Sequence, residues 1–279
     1  MNNKDQIDYW NGPAGQRWVD QSNRLDAMLA PFADAVIARA ALQPGEAVID
    51  VGCGAGALTL LAAKAVGEGR GALGVDVSEP LVSLARRRAA EAGLPARFDL
   101  ADASEFDTAD KADIMVSRFG VMFFADPGEA FANIRRAVRP GGRLTFVCWQ
   151  GLDKNDWALK PLLAGLPFLK EPPPQPDPSA PGPFAFHDRD RVARFLGEAG
   201  WSDVTLDSIE TELILPGEDI AANAGFMMQL GPLSRLMAAQ GIAPAPVEAA
   251  LADLMRANER ADGTVAMRAA CWLVSAGNP

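Results

Sequence analysis

The chain has 279 residues, 49% of them hydrophobic, and it carries a formal net charge of −10 at pH 7. This apolar content is too high for a disordered chain, and the length allows one large domain or one domain with an insertion. Because non-specific nucleic-acid binding depends on Lys and Arg that neutralise phosphates, the acidic balance argues against a nucleic-acid partner.

The cysteines and the apolar stretches indicate in which cellular compartment the protein is located. Cys53, Cys148 and Cys271 lie far apart in the sequence, which argues against a disulfide framework and against a metal site. Reduced thiols fit a cytoplasmic protein. The first residues lack the apolar region of a signal peptide, and the longest uncharged stretch, residues 220–234, is too short to span a membrane. We therefore expect a cytoplasmic protein with no metal and no membrane partner.

Residues 1–43 are predicted to be helical. Apolar side chains in the segment 25–36 recur at helical spacing, which is typical of an amphipathic helix. Upstream, Trp10 and Trp18 lie on either side of a Gly-Pro turn signal, so two short helices are expected there.

Short β-branched runs alternate with helical runs in the next hundred residues. Predicted strands cover residues 47–51, 72–75, 96–99, 113–116 and 142–149. Predicted helices cover residues 58–66, 79–92 and 128–138. This alternation indicates βαβ units and therefore a parallel sheet with helices on both faces, an α/β fold.

The C-terminal part, residues 151–279, is predicted to complete the sheet and to carry two insertions. The first insertion covers residues 152–187, and its segment 171–186 contains seven of the chain's 21 prolines. Proline fixes extended backbone and excludes helix, so this segment is predicted to be a stiff loop. The second insertion, residues 216–262, is predicted to be helical over most of its length.

Three further elements are predicted outside those insertions or at their edges. An amphipathic helix is expected around residues 192–199, followed by one bent or two short strands over residues 204–215. Helical patterns then extend from residue 218 to residue 260. The nearly continuous apolar run 264–275 predicts a last strand that joins the sheet.

The strongest functional signal is a buried strand that leads into three glycines at alternate positions before a helix begins. The glycines are Gly52, Gly54 and Gly56. Glycine lets the backbone turn tightly and lets a ligand approach it closely. The GxGxG spacing differs from the GxGxxG of dinucleotide-binding loops, and Asp50, two residues before the first glycine, would repel a pyrophosphate but attract a cation. Both features disfavour an NAD-linked oxidoreductase.

Two more carboxylates follow neighbouring strands. Asp76 ends the second predicted strand, where a carboxylate can accept hydrogen bonds from both hydroxyls of a ribose. Asp102 follows the third strand, where it can accept a hydrogen bond from an adenine amino group. The pattern therefore points to a nucleoside that carries a positive charge.

Four segments together resemble the motifs of the class I S-adenosylmethionine-dependent methyltransferases. Residues 48–60 resemble motif I, residues 74–78 motif II, residues 100–103 motif III, and residues 139–144 the turn before the fifth strand. The resemblance covers about residues 45–150 and is closest to the ubiquinone/menaquinone-biosynthesis-like branch, which acts on small molecules. It implies a Rossmann-like, doubly wound α/β fold with a seven-stranded sheet whose last strand is antiparallel.

The resemblance also implies S-adenosylmethionine as the cofactor, bound by a core over residues 44–150 beneath an N-terminal helical cap. The glycines would line the methionine moiety, Asp76 would hold the ribose, Asp102 and Ala103 would hold the adenine, and Ser117 would lie near the sulfonium. The two N-terminal tryptophans either cap the cofactor through cation–π contacts or only fill the core. The implied cofactor-binding residues are Trp10, Trp18, Asp50, Gly52, Cys53, Gly54, Gly56, Asp76, Val77, Ser78, Asp102, Ala103 and Ser117.

Catalytic groups are only weakly indicated. Arg118 either clamps an anionic acceptor or forms an ion pair with Asp113 or Asp126. His187, the only histidine, is either a general base or a surface or helix-capping residue. The methionine-rich stretch 226–233 either lines an acceptor pocket or belongs to the core.

The sequence therefore predicts a methyltransferase that acts on O, C or N of a small, apolar or aromatic molecule by in-line displacement. A second hypothesis, a protein that binds S-adenosylmethionine without transferring its methyl group, stays open because no dedicated base is evident.

Overall fold

A single mixed sheet lies at the centre of the molecule. The computed structural model describes residues 3–175, 177 and 180–279, so parts of the predicted proline-rich loop lie outside the described residues. The strands are β1 (Val48–Val51), β2 (Ala72–Asp76), β3 (Ala96–Leu100), β4 (Ala112–Arg118), β5 (Val138–Trp149), β6 (Ser202–Ile214) and β7 (Ala266–Gly277).

The strand order is β3-β2-β1-β4-β5-β7-β6. Strands β1 to β5 pair in parallel, whereas β7 is antiparallel to both of its neighbours, β5 and β6. The prediction of a seven-stranded sheet with an antiparallel last strand is therefore confirmed.

Eleven α-helices flank this sheet within the described residues. They are α1 (Lys4–Asn11), α2 (Pro13–Asp20), α3 (Ser22–Ala40), α4 (Ala57–Val66), α5 (Glu79–Ala92), α6 (Pro127–Ala137), α7 (Asp156–Gly165), α8 (Arg189–Glu198), α9 (Ile220–Met228), α10 (Gly231–Gln240) and α11 (Pro244–Ala257). Helices α3 and α4 pack on each other and on the sheet, and α6 packs with α8 beside β5 and β6.

The position of β1 determines where a ligand can bind. All four of its residues are buried, since β2 and β4 pair with its two edges and α4 packs against it. The chain leaves β1 toward β2 on one side and later returns to β4 on the other side. In doubly wound sheets, ligands bind at this reversal of strand order, beyond the carboxyl ends of the strands.

The N-terminal helices are attached to the turn between β2 and α5. The Asn11 side chain donates to the Val77 carbonyl over 2.8 Å and accepts from the Glu79 N–H over 3.0 Å. The Ser78 hydroxyl donates to the Trp10 carbonyl over 2.8 Å. These bonds hold α1 and α2 beside the carboxyl end of β2.

The C-terminal part matches one of the predicted alternatives and adds a detail to another prediction. Of one bent strand or two short strands, the structure has the single strand β6, whose register is irregular next to Asp203, a non-glycine residue at φ 53°. The predicted helical stretch 218–260 is divided into α9, α10 and α11. Pro232 and Pro244 lie in the first turns of α10 and α11, where a proline is tolerated but cannot continue a preceding helix.

Two features are absent from the residues that the structure describes. Among them, no helix is long and apolar enough to cross a membrane. Nor do the described residues contain a group of three or more His, Cys, Asp or Glu side chains placed to hold a metal ion.

Phe131 tests the packing of the sheet against α6. Its side chain is fully buried, and its ring lies 5.4 Å from that of Phe146 and 5.5 Å from that of Phe195. We expect Phe131→Ala to lower the free energy of unfolding by about 3–5 kcal/mol, because it leaves a cavity in a close-packed core. Denaturant unfolding measures the change. Leu100→Ala, at a residue 48% exposed, is the control and should cost less than about 0.5 kcal/mol.

Candidate active site

The three loop glycines share a backbone conformation and differ in what surrounds them. All have positive φ values, of 67° at Gly52, 53° at Gly54 and 85° at Gly56. A Cβ atom at Gly52 would lie 2.6 Å from the Cα atom of Gly120, and one at Gly56 would lie 2.9 Å from the Phe98 ring. A Cβ at Gly54 would meet nothing within 4 Å. Gly54 therefore faces open space, and the other two allow close packing.

That open space is a cleft of about 1080 Å³ between the carboxyl ends of β1, β2 and β4 and the N-terminal helices. We call it the loop cleft. It is lined by these predicted site residues: Trp10, Trp18, Asp50, Gly52, Cys53, Gly54, Asp76, Val77, Asp102, Ala103 and Arg118. The fold thus brings residues as far apart in the sequence as Trp10 and Arg118 together at one edge of the sheet.

Asp50 is the most deeply buried charged group of the loop cleft. It is 1% exposed, and the Thr59 hydroxyl donates to one carboxylate oxygen over 2.6 Å. The other oxygen, Oδ1, is buried and has no hydrogen-bond partner among the described residues. Burial raises the pKa of Asp50 to about 7, although the Thr59 bond and the Arg118 charge oppose this. A cationic ligand beside Asp50 would favour its ionised form.

Asp76 and Asp102 accept hydrogen bonds from nearby backbone N–H groups. Asp76 accepts from the N–H of Gly54 over 2.8 Å and from that of Ser78 over 2.9 Å, and burial raises its pKa. Asp102 accepts from the N–H of Ser104 over 2.9 Å and from the Asn3 side-chain amide over 3.0 Å. Both carboxylates border the loop cleft and are held in place by the chain around it.

Asn3 and Gln6 were missed by the sequence reasoning. Both line the loop cleft, and the buried amide oxygens Asn3 Oδ1 and Gln6 Oε1 have no hydrogen-bond partner among the described residues. With Asp50 Oδ1, three buried acceptors border one cleft without a donor. The spacing of Asn3, Gln6 and Trp10 places them on one face of a helix, which is the signal that could have indicated them.

Aromatic side chains separate the loop cleft from a second space. The Trp10 ring lies edge to face with those of Trp18 and Phe123, at centroid distances of 5.6 and 5.2 Å. These three rings line both the loop cleft and an adjoining space of about 770 Å³, part of it open to solvent, which we call the aromatic cavity. Trp149 and Trp157 form the far side of the aromatic cavity.

Phe119 also lines both spaces and is held in an unusual backbone conformation. Its φ is 62°, and its ring stacks on that of Trp149 with a centroid distance of 4.0 Å. Positive φ is uncommon for a bulky residue and costs about 1–3 kcal/mol, so surrounding contacts must maintain it. The loop after β4 therefore presents an aromatic ring where the two spaces meet.

The ion pair predicted for Arg118 has a different partner. Arg118 pairs with Asp26 of α3 over 2.8 Å, and neither Asp113 nor Asp126 is involved. Asp113 is held by Arg139 over 2.6 Å. Asp126 caps α6, where its side chain accepts from a backbone N–H. The partner differs because the end of β4 faces α3, a proximity that only the fold creates.

Four predicted residues lie outside the lining of the loop cleft. The Ser117 hydroxyl donates to the Val51 carbonyl over 2.6 Å and so joins β4 to the end of β1. The Ser78 hydroxyl contacts the cap, and Gly56 packs against Phe98, as described above. His187 is exposed, and its Nδ1 lies 2.8 Å from the Phe184 carbonyl oxygen.

Two remaining interpretations concern a cysteine and the methionines. Cys53 is 8% exposed, and burial raises the pKa of its thiol well above the usual value, which does not favour a nucleophile. In the methionine-rich stretch, Met227 is fully buried core. The aromatic cavity is instead lined by Gln229, Leu230 and Gly231 of that stretch.

The comparisons with known proteins agree with this geometry. Residues 48–142, which include the glycine loop, Asp76 and Asp102, match the model of a family described as a methyltransferase domain. The chain contains a class I S-adenosylmethionine-dependent methyltransferase domain. The family resemblance stated from the motifs is thereby confirmed.

Two curated relatives of this methyltransferase domain have named activities. The chain is 33% identical over 132 residues to nocamycin O-methyltransferase of Saccharothrix syringae, covering 44% of this chain and 45% of the relative. It is 31% identical over 123 residues to a ubiquinone/menaquinone biosynthesis C-methyltransferase of Burkholderia mallei, covering 42% of this chain and 51% of the relative. The chain thus matches about half the length of these relatives.

A solved structure extends the likeness beyond the methyltransferase domain. The [4+2]-cyclase SpnF covers 94% of this chain and 94% of its own, with a TM-score of 0.54 and 18% sequence identity. At this identity the likeness shows that the fold is shared.

Asp50 makes the stability of the methyltransferase domain depend on pH. A carboxyl whose pKa is about 7 when folded, and near 3.8 otherwise, binds more protons in the folded state between these values. Its contribution to stability is therefore lost as pH rises from about 4 to about 8. We expect Asp50→Asn to gain about 3–4 kcal/mol relative to the wild type over this range.

Urea unfolding at pH 4.5, 6 and 8, without added ligand, measures this difference. Asp34→Asn, at an exposed carboxylate of α3, is the matched control and should parallel the wild type. Parallel stability curves for Asp50→Asn and the wild type would show that Asp50 stays ionised throughout.

Proposed function

We propose that the protein transfers the methyl group of S-adenosylmethionine to oxygen, carbon or nitrogen of a small, apolar or aromatic molecule. The observation that carries the proposal is the set of partnerless acceptors, Asp50 Oδ1, Asn3 Oδ1 and Gln6 Oε1, around a glycine loop. A sulfonium nucleoside with an amino acid chain presents positive charge and N–H and O–H donors. A pyrophosphate presents acceptors only, which these oxygens would repel.

The residues of the loop cleft fit the parts of such a cofactor. Gly54 leaves space for close approach to the backbone, and the buried Asp50 carboxylate offers a partner for the ammonium group. Asp76 and Asp102 keep acceptor capacity beside their backbone bonds, because each carboxylate oxygen has two lone pairs. They are proposed to accept from the ribose hydroxyls and from the adenine amino group.

When bound, the cofactor would supply a methyl group on a sulfonium sulfur. An electron pair of the acceptor would form the bond to the methyl carbon as the carbon–sulfur bond breaks, and any proton displaced from the acceptor would pass to solvent. The aromatic rings that line both spaces would orient the acceptor and exclude water. Within the described part of the chain, no histidine or carboxylate lines the aromatic cavity. We therefore propose that the protein accelerates methyl transfer by positioning the acceptor, without a dedicated general base.

A second function is supported by that missing base. The chain would bind S-adenosylmethionine in the same cleft without transferring its methyl group, for another reaction or for regulation. The shared fold of SpnF, whose name is that of a cyclase, supports the same alternative. Incubating cell extract with the protein and methyl-labelled cofactor separates the two, because only a methyltransferase releases S-adenosylhomocysteine together with a labelled product.

We also propose a cytoplasmic location. Cys53, Cys148 and Cys271 are all buried and unpaired. Unpaired thiols are typical of a reducing compartment, which supports this proposal.

Replacement of Asp76 should weaken cofactor binding directly, because this side chain is proposed to accept hydrogen bonds from the ribose. We expect the wild type to bind S-adenosylhomocysteine with micromolar affinity and Asp76→Ala to bind at least about tenfold more weakly, because a buried charged hydrogen-bonding partner is lost. Isothermal titration calorimetry measures both affinities.

The matched control is Asp99→Ala, at an exposed carboxylate on β3. It should bind S-adenosylhomocysteine as the wild type does. If the wild type shows no binding at millimolar S-adenosylhomocysteine, the proposed function is wrong.

A further inference from the structure

The aromatic cavity combines apolar walls with two positively charged side chains. Trp149 and Trp157 are 5% and 7% exposed, so most of their ring surface is already desolvated. Arg17 of α2 and Arg235 of α10 also line the cavity. Charged side chains are not needed to pack an apolar core, so the two arginines indicate that the cavity binds a ligand.

The two guanidinium groups lack anionic partners within the described residues. Neither Arg17 nor Arg235 forms an ion pair with a described carboxylate, although acidic residues outnumber basic ones by 36 to 26 in the whole chain. Arg235 contacts Tyr9, whose hydroxyl accepts from its Nε over 3.3 Å and whose ring centroid lies 4.8 Å from its Cζ. Tyr9 orients this guanidinium but leaves its charge uncompensated.

The start of α10 adds to the positive potential. This helix begins at Gly231, and the residue before it, Leu230, provides no side-chain cap. Both residues line the aromatic cavity, as does Ser234 of the first turn. The uncapped N–H groups of a helix start favour a nearby negative charge. Three positive contributions, from two arginines and one helix, thus meet at the same cavity.

Arg118 provides an informative contrast. It borders the loop cleft, but its side chain is paired with Asp26 over 2.8 Å, and Asp26 also pairs with Arg88 over 2.9 Å. The Arg118 guanidinium thus has a carboxylate partner within the fold, which it shares with Arg88. The charges of Arg17 and Arg235 remain available to a ligand.

We propose that the aromatic cavity binds the methyl acceptor as an anion, an aromatic molecule bearing a carboxylate or phenolate. Its ring system packs against Trp149 and Trp157, and its charged group is held by Arg17 and Arg235. This inference rests on the proposed function, whose substrate class it names. It also accounts for the missing base, because cationic side chains favour the ionised form of an acceptor and so reduce the need to remove its proton.

The test compares two probes that have the same ring system and differ in charge, 2-naphthoate and 2-naphthamide. Calorimetry at pH 8 first measures S-adenosylhomocysteine binding, and then each probe is titrated into protein saturated with S-adenosylhomocysteine. We expect the wild type to bind 2-naphthoate at least about fivefold more tightly than 2-naphthamide, since partly exposed guanidinium groups contribute modestly.

The double variant Arg17→Gln, Arg235→Gln should lose most of this preference and keep only the small contribution of the start of α10. Arg87→Gln, at an exposed arginine of α5, is the matched control and should keep the wild-type preference. Circular dichroism checks that the double variant is folded, which we expect because neither arginine is buried.

The proposal is overturned if the wild type binds 2-naphthoate no more tightly than 2-naphthamide, or does not bind it at millimolar concentration. It is also overturned if the double variant keeps the wild-type preference. Failure of S-adenosylhomocysteine to bind in the first titration would instead contradict the proposed function, so the two failures are distinguishable.

Discussion

The buried Asp50 carboxylate is the constraint on which the rest of the site depends. An ionised group is costly to remove from water, and only one of its two oxygens has a hydrogen-bond donor in the described structure. The fold nevertheless fixes Asp50, because β1 is enclosed by β2 and β4 and Thr59 of α4 donates to it. A bound cation would offset the cost of burying the Asp50 carboxylate. The same carboxylate would therefore destabilise the protein without a ligand and contribute to the affinity for a cationic ligand.

The loop after β4 lies between the loop cleft and the aromatic cavity, where we propose that the cofactor and the acceptor bind. Ser117 fastens this loop to β1, and Phe119, held at positive φ by its stack on Trp149, projects between the two spaces. Trp10, Trp18 and Phe123 line the same two spaces together with Leu25 and Leu29, so the wall between the loop cleft and the aromatic cavity is apolar. Such a wall contributes no proton transfer, and it can exclude water and position an acceptor ring.

The sequence predicted the features that depend on local pattern. The strand, the three glycines and the carboxylates that follow β1 to β3 were all recognised, because the βαβ repeat places them at one sheet edge. The sequence did not predict contacts between segments that lie far apart in the chain. Asp26 lies 92 residues before Arg118, and nothing near either residue indicates the pairing. Asn3 and Gln6 belong to a polar N-terminal segment whose burial depends on how α1 docks.

We expect that a bound cofactor ionises Asp50, and proton release upon binding tests this expectation most directly. With a pKa of about 7, Asp50 is about half protonated at pH 7 before binding. Calorimetry of S-adenosylhomocysteine binding in buffers with different ionisation enthalpies measures the protons exchanged. We predict that the wild type releases about half a proton and that Asp50→Asn releases none. Tight binding to the wild type without proton release would contradict this account.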